Sequence, residues 1–183
     1  MTAISDIEVI HRQTESKMFY FKYLIEGSKD FITVATTRPE TMFVDVAVFV
    51  NPKDKRYTKL VNKHVINPIN GQKLKVLSDS YVDVKFGTGA MKCTPAHDFN
   101  DYQLALKHNL RNYETVMNHD GTLNDKSKTM SHSYQGQDRL KARLQIVEDI
   151  KEAGLLIKIE DHVSDIGYSE RTGEVVEPLL SMQ

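Results

Sequence analysis

The stretch Phe19-Tyr-Phe-Lys-Tyr-Leu-Ile25, Glu26-Gly-Ser-Lys-Asp30, Phe31-Ile-Thr-Val-Ala-Thr-Thr37 decides how the chain is read. Two runs rich in aromatic and β-branched side chains flank five residues of turn chemistry, which is the signature of a β-hairpin. Working outward, Val46-Ala-Val-Phe-Val50 is a further strand ended by Asn51-Pro52, and short runs follow at Val65-Ile66, Lys73-Leu-Lys-Val-Leu77 and Ala90-Met-Lys-Cys-Thr94. Only two segments have helical periodicity. From Asp98 to His108 the residues Phe99, Tyr102, Leu104, Ala105 and Leu106 form a loose apolar face, with Asp98 as N-cap and Asn109 as a left-handed stop. From Asp138 to Ala153 the residues Leu140, Leu144, Val147 and Ile150 recur at helical spacing, and Gly154 closes the helix. Short, irregularly spaced strands argue against a doubly wound sheet with its regular β-α alternation. The expectation is a mixed α/β (α+β) fold: a closed, β-barrel-like sheet with helices packed around it, in a single domain over residues 1–183.

The composition suits that frame. Of 183 residues, 40% are hydrophobic and 27% charged, enough for one core. No apolar run reaches the roughly 20 residues that cross a bilayer. The opening Met1-Thr-Ala-Ile-Ser-Asp6 has neither the basic nor the apolar region of a signal peptide, so a cytoplasmic location with no membrane partner is expected. Cys93 is the only cysteine, which excludes an internal disulfide, and no two of the seven histidines stand at i, i+4. No metal site is expected. The net charge of −1 makes no demand for a polyanionic partner, but Lys53, Lys55, Arg56, Lys59 and Lys63 crowd one segment with only Asp54 opposing them. That segment reads either as a solvated face or as a contact for a phosphate backbone. Asn118-His-Asp-Gly-Thr-Leu-Asn-Asp-Lys-Ser-Lys128 is the most polar run and reads as a surface loop.

Chemistry concentrates at two junctions where a strand-like run meets a proline. Thr36-Thr-Arg-Pro-Glu-Thr41 is one, and Lys92-Cys-Thr-Pro-Ala-His-Asp-Phe-Asn-Asp101, directly after Gly87-Thr-Gly-Ala-Met91, is the other. Brought together, Arg38, Lys92, Thr37, Thr41, Thr94, Asp98 and Asp101 make a pocket that holds an ammonium group on a carboxylate and fixes an alcohol by hydrogen bonds. Such a pocket suits an amino acid. Each residue also has a plain structural reading: Arg38 paired with Glu40, Thr36 and Thr37 as strand residues, Asp98 as a helix cap. His97 reads either as a general base or as the residue that holds the turn. Cys93, alternating with Lys92 and Thr94, points into the core. There is no Gly-x-Ser-x-Gly elbow, and a cysteine inside a strand makes a poor nucleophile, so a covalent hydrolase is disfavoured. Positioned water is the mechanism these residues fit.

Ala35-Thr-Thr-Arg-Pro-Glu-Thr-Met42, then Asp45 with Ala47-Val48, then Gly87-Thr-Gly-Ala-Met-Lys-Cys-Thr-Pro-Ala-His-Asp-Phe-Asn-Asp-Tyr102 closely resemble the editing domain of valyl-tRNA synthetases, an insertion in the catalytic domain of a class I enzyme. Further landmarks of the resemblance are Ile4-Ser-Asp-Ile-Glu-Val9, Asn118-His-Asp-Gly-Thr-Leu123, Tyr134-Gln-Gly-Gln-Asp-Arg139 and Val176-Glu-Pro-Leu-Leu-Ser-Met-Gln183. The isoleucyl and leucyl counterparts fit less well. Glu40 stands where the former has tryptophan and the latter usually aspartate, Ala96 stands before His97, and Lys92-x-Thr94 precedes Pro95. The resemblance implies hydrolysis of threonine wrongly esterified to tRNA(Val). An apolar valine pocket rejects isosteric threonine only by about 10²-fold, a figure established for valyl-tRNA synthetases themselves.

By the same resemblance, Asp98 would hold the substrate's α-amino group and Asp101 its hydroxyl, while Arg38, Thr37, Thr41, Lys92, Thr94 and His97 line the pocket. Asp98, Lys92 and Thr94 are the candidate catalytic residues. Editing needs no cofactor. ATP belongs to the catalytic domain, whose His-x-Gly-His and Lys-Met-Ser-Lys-Ser motifs this chain lacks, so no synthetic activity is expected, and the partners implied are the acceptor end of threonyl-tRNA(Val) and the rest of a synthetase. Val44-Asp-Val46 stands where Gly-Asp-Thr is usual, and Tyr168 where histidine is common. A non-catalytic module for the tRNA acceptor end is the competing reading.

Overall fold

A computed structural model describes residues 9–111, 114–125, 130–131 and 133–169, with side chains described only between 16 and 163. The landmarks before residue 9 and after 169, part of the polar loop at 118–128 and the side chain of Tyr168 lie outside that description.

The hairpin is present. Strand β1 (Val9–Ile25) pairs antiparallel with β2 (Phe31–Thr36), Phe19 lying opposite Thr36 and Leu24 opposite Phe31. Phe19, Phe21 and Tyr23 alternate inward and meet Ile32 and Val34, also inward, so one face of each strand is core. A 3-10 turn (Pro39–Val44) follows, then β3 (Ala47–Val50), β4 (His64–Ile66), β5 (Lys73–Ser78) and β6 (Ala90–Cys93). The order in the sheet is β2-β1-β4-β5-β3-β6. Its two outer strands, β2 and β6, approach one another without pairing, which makes the sheet a nearly closed barrel. Strand β3 runs parallel to β5 and antiparallel to β6.

Both faces of β3 are covered, which is why Ala47–Val50 reads as an unbroken apolar run. Val48 and Val50 enter the barrel core, whereas Ala47 and Phe49 join Cys93 in a second cluster capped by Leu104 and Ala105. Those two residues belong to α1 (Phe99–Lys107), which therefore packs outside the barrel. Asp98 caps α1 as expected, and Asn109 has the left-handed φ of 58°. The apolar face is narrower than its periodicity suggests, since Phe99 and Leu106 face solvent.

The second helix, α2 (Arg139–Glu152), is capped by Asp138 and packs on the 3-10 turn. Its buried face is Ala142, Ile146, Val147 and Ile150, while Leu140 and Leu144 are exposed. The rotation has a cause. Fully buried Glu40 accepts from Arg143 Nε at 2.8 Å and from Nη2 at 2.7 Å, and satisfying that carboxylate turns Arg143 rather than Leu144 toward the turn.

Two features were not expected. Strand β1 extends back to Val9, and β7 (Leu156–Ser169) pairs with it from Val9 opposite Ser169 to Phe21 opposite Leu156. Where described, the outer part of this ribbon has no buried face: Ile157, Ile159 and Val163 are exposed. Without one-sided burial there is no hydrophobic alternation to read, and the ladder rests on backbone bonds and on cross-strand pairs such as Tyr20 with Glu160 and Lys17 with Asp161. The polar loop also departs from expectation. Leu123 and Asn124 are buried, and Met117 bridges to Leu123, so its centre is pinned to the body.

Candidate functional site

The two proline junctions converge at the barrel seam. Thr36, Thr37, Arg38 and Thr41 leave the end of β2, Lys92 and Thr94 leave β6, and His97, Asp98 and Asp101 enter α1. All of them line one cleft of about 340 Å³. Pro39 begins the 3-10 turn and Pro95 follows β6, so each junction breaks its strand at the same end of the barrel.

The acidic wall is built by capping. Asp98 Oδ1 accepts from the Asp101 amide at 2.9 Å, and Asp101 Oδ2 accepts from the Thr94 amide at 2.8 Å. One oxygen of each carboxylate is committed to backbone, and the other has no hydrogen-bond partner among the described residues. Burial pushes the Asp101 carboxyl up to about 6, with the nearby Asp98 charge adding to it and the Thr94 amide opposing it. Arg38 is largely buried, which lowers its pKa, and its Nη1 donates to the His97 carbonyl at 3.1 Å. It thereby ties the first junction to the second. The His97 ring is buried, and its Nε2 accepts from the Val116 amide at 3.0 Å. This bond uses the nitrogen lone pair that a general base would need and favours the role of holding the turn.

Beneath the cleft lies a residue that residue-by-residue reading did not single out. Asp45 is fully buried; its Oδ1 accepts from Lys92 Nζ at 2.9 Å and from Thr94 Oγ1 at 2.7 Å, and its Oδ2 accepts from the Tyr23 hydroxyl at 3.0 Å. Burial raises its pKa, and Lys92 and the hydrogen bonds draw it back. Lys92 also donates to Thr41 Oγ1 at 2.8 Å and to Thr94 Oγ1 at 2.7 Å. A signal was available: Asp45 sits inside Met42-Phe-Val-Asp-Val-Ala-Val48, where a carboxylate must find a buried cation. Cys93 points the other way, as expected, and burial raises its thiol pKa far from reactivity.

The cleft continues into a more apolar hollow of about 360 Å³ lined by Tyr81, Phe86 and the Gly87–Met91 segment. Phe86 is 72% exposed and Tyr81 54%, and neither was singled out from sequence. The basic segment adjoins it. Arg56 is engaged with Asp54 at 2.8 Å and with the Val84 carbonyl at 3.0 Å, and it is exposed, as are Lys53, Lys55, Lys59 and Lys63. Gly89, at φ 77°, passes so close to the Asp54–Arg56 pair that a side chain there would displace it.

The family model described as "Leucyl-tRNA synthetase, editing domain" matches residues 52–153, more than half of the 183-residue chain. This chain belongs to the synthetase editing domains. Similarity to valine–tRNA ligases extends over its whole length: 52% identity over 182 residues with that of Mycoplasma mycoides subsp. mycoides, 54% with that of Ureaplasma parvum serovar 3 and 53% with that of Staphylococcus carnosus. The chain spans 20% of each of these relatives and all of it is matched. Among solved structures, the Agrobacterium radiobacter K84 LeuRS in ternary complex with tRNA and LeuAMS shares the fold, with a TM-score of 0.55 and 18% identity over 84% of this chain and 20% of that one. The expected barrel with few helices is thus an editing-domain fold. Among the described residues no helix is long and apolar enough to cross a membrane.

Proposed function

We propose that this editing domain hydrolyses threonyl-tRNA(Val), acting as part of a longer valyl-tRNA synthetase. The observation that carries the reading is the acceptor-rich wall of the cleft: a free oxygen on each of Asp98 and Asp101 beside the Thr41 and Thr94 hydroxyls. An α-ammonium group and a side-chain hydroxyl are the donors such a wall receives. Valine would leave the hydroxyl's partners buried and unpaired, so the preference of an apolar pocket is inverted. Asp98 takes the ammonium group and Asp101 the hydroxyl. The apolar hollow with Tyr81 and Phe86, bordered by the basic segment, suits the unpaired end of a tRNA, whose bases stack on aromatic rings while lysines follow the backbone.

In the reaction, water adds to the ester carbonyl and the bond between the acyl carbon and the terminal ribose oxygen breaks. The ribose oxygen leaves with a proton that derives from the water, relayed by the neighbouring ribose hydroxyl. Free threonine and intact tRNA result. Arg38 and the Lys92 charge stabilise the negative charge that develops on the carbonyl oxygen. Membership of a longer chain is supported by the relatives' length and by the β1–β7 ribbon, which brings Val9 beside Ser169 as an inserted domain requires.

The test is to present threonyl-tRNA(Val) and valyl-tRNA(Val) to the protein and follow release of each amino acid. Rapid release of threonine with valine retained is expected. Equal rates, or no threonine release at high protein concentration, would overturn the proposal.

A further inference from the structure

A second wall of the cleft comes from the β1–β7 ribbon. Along β1, Phe19, Phe21 and Tyr23 point into the core, so alternation turns Ser16, Met18 and Tyr20 outward. Their partners across the ladder, His162, Glu160 and Lys158, share that outer face. The Tyr20 hydroxyl donates to Glu160 at 2.8 Å and Lys158 Nζ donates to Glu160 at 2.7 Å, so these three groups satisfy one another. His162 is next in the row and lines the cleft together with Met18, and its ring makes no hydrogen bond among the described residues. The cleft's other basic groups are engaged. The three donors of Lys92 Nζ go to Thr41 Oγ1, Thr94 Oγ1 and Asp45 Oδ1, and Arg38 Nη1 donates to the His97 carbonyl. An imidazole always carries at least one N–H, so His162 offers a donor that no bond within the cleft consumes.

An aminoacylated terminal ribose extends in three directions: through the ester oxygen to the amino acid, through C1′ to the base and through C5′ to the last phosphate of the tRNA. On the threonyl-editing reading the acidic wall takes the first and the aromatic hollow the second. Met18, Ala35, Phe86 and Met91 line both cleft and hollow and so mark the passage between them, whereas His162 lines the cleft alone. It stands off the path of the base, on the side left for the phosphate. Resting on that reading, we propose that His162 binds the last phosphate of the tRNA and so holds the ester in register with the acidic wall. A hydrogen bond from an imidazole to a phosphate oxygen is charge-assisted and therefore among the stronger ones. Glu160, two residues along the strand, is already paired with Lys158 and does not cancel the attraction.

The experiment uses the full-length protein that contains this sequence and two forms of threonyl-tRNA(Val), one natural and one whose last phosphodiester is an uncharged methylphosphonate. The kcat/KM for deacylation of each is read with the parent protein and with His162→Ala. For the parent, the neutral linkage is expected to cost about tenfold, the effect of one hydrogen bond to a charged group, carried by KM with kcat unchanged. His162→Ala is expected to lose the same factor on the natural tRNA and nothing further on the neutral one, because protein and tRNA then lack the same contact. A purely structural role would slow deacylation of both tRNAs by one factor and leave the tenfold difference in place. A role in activating water would lower kcat and also leave that difference in place. Either result overturns the inference, as does a parent protein indifferent to the linkage. Should His162→Ala fail to fold, His162→Leu, of similar size and without a donor, replaces it with the same expectation. A parent protein that releases no threonine from the natural tRNA retires the threonyl reading itself, which separates the two failures.

Discussion

At the scale of single residues, two neighbouring carboxylates in the first turn of α1 have distinct jobs. Asp98 is a helix cap whose second oxygen is available, so its removal separates two effects. Asp98→Ala is expected to abolish threonine release while costing only about 1 kcal/mol of stability, measured by urea denaturation beside the deacylation assay; global unfolding would show that the cap dominates. Asp101 is distinguished by its pKa. Its carboxyl titrates near 6 in the folded chain, against about 4 when unfolded. The native state therefore binds more protons than the unfolded state between those values, and stability falls as pH rises from about 4 to about 6, then levels off. Activity should run the other way, because the ionised oxygen is the better acceptor for the substrate hydroxyl. We expect kcat/KM for the threonyl ester to rise through an acid limb near pH 6 and Asp101→Asn to remove that limb. A limb unchanged in the variant would assign the titration elsewhere.

Among elements, the 3-10 turn from Pro39 to Val44 holds the first junction in place, and its anchor is remote in sequence. Glu40 and Arg143 form two buried hydrogen bonds between the turn and α2. Arg143→Met leaves Glu40 uncompensated and is expected to cost about 3–5 kcal/mol, whereas replacing both partners with apolar residues should recover much of that loss. Chemical denaturation of the two variants checks the pair. The same contact explains why the leucine spacing of α2 points to a face that solvent covers. Periodicity alone weighs hydrophobicity; here a single buried carboxylate outweighs two leucines. The ribbon of β1 and β7 escapes a sequence reading for the complementary reason, since its described outer part buries neither face and displays no alternation.

For the whole molecule, the proposed contact with nucleic acid is a matter of where charge lies rather than how much there is, because the net charge is only −1. Lys55 and Lys59 are exposed in the segment whose Arg56 serves the Asp54 clamp against Gly89 of the aromatic hollow. Lys55→Glu with Lys59→Glu should weaken tRNA binding and flatten its dependence on salt, each lost phosphate contact removing about one unit of slope; unchanged affinity and slope would clear the segment of any such role. Gly89→Ala should displace Arg56 and loosen the Phe86 loop, lowering the melting temperature by a few degrees as about 1 kcal/mol is lost. The sequence by itself determined the hairpin, the strand-rich class, the helix cap at Asp98, the helix that starts at Asp138 and the two proline junctions, because turn chemistry, capping and side-chain periodicity act over a few residues. Its motifs also pointed to the editing-domain family. What only the tertiary structure decided were the partners: Asp45 under Lys92, Glu40 against Arg143, the His97 ring on the Val116 amide, and the seam that joins the two junctions. Those pairings form across long stretches of chain, where burial, and not spacing, compels each polar group to find its complement.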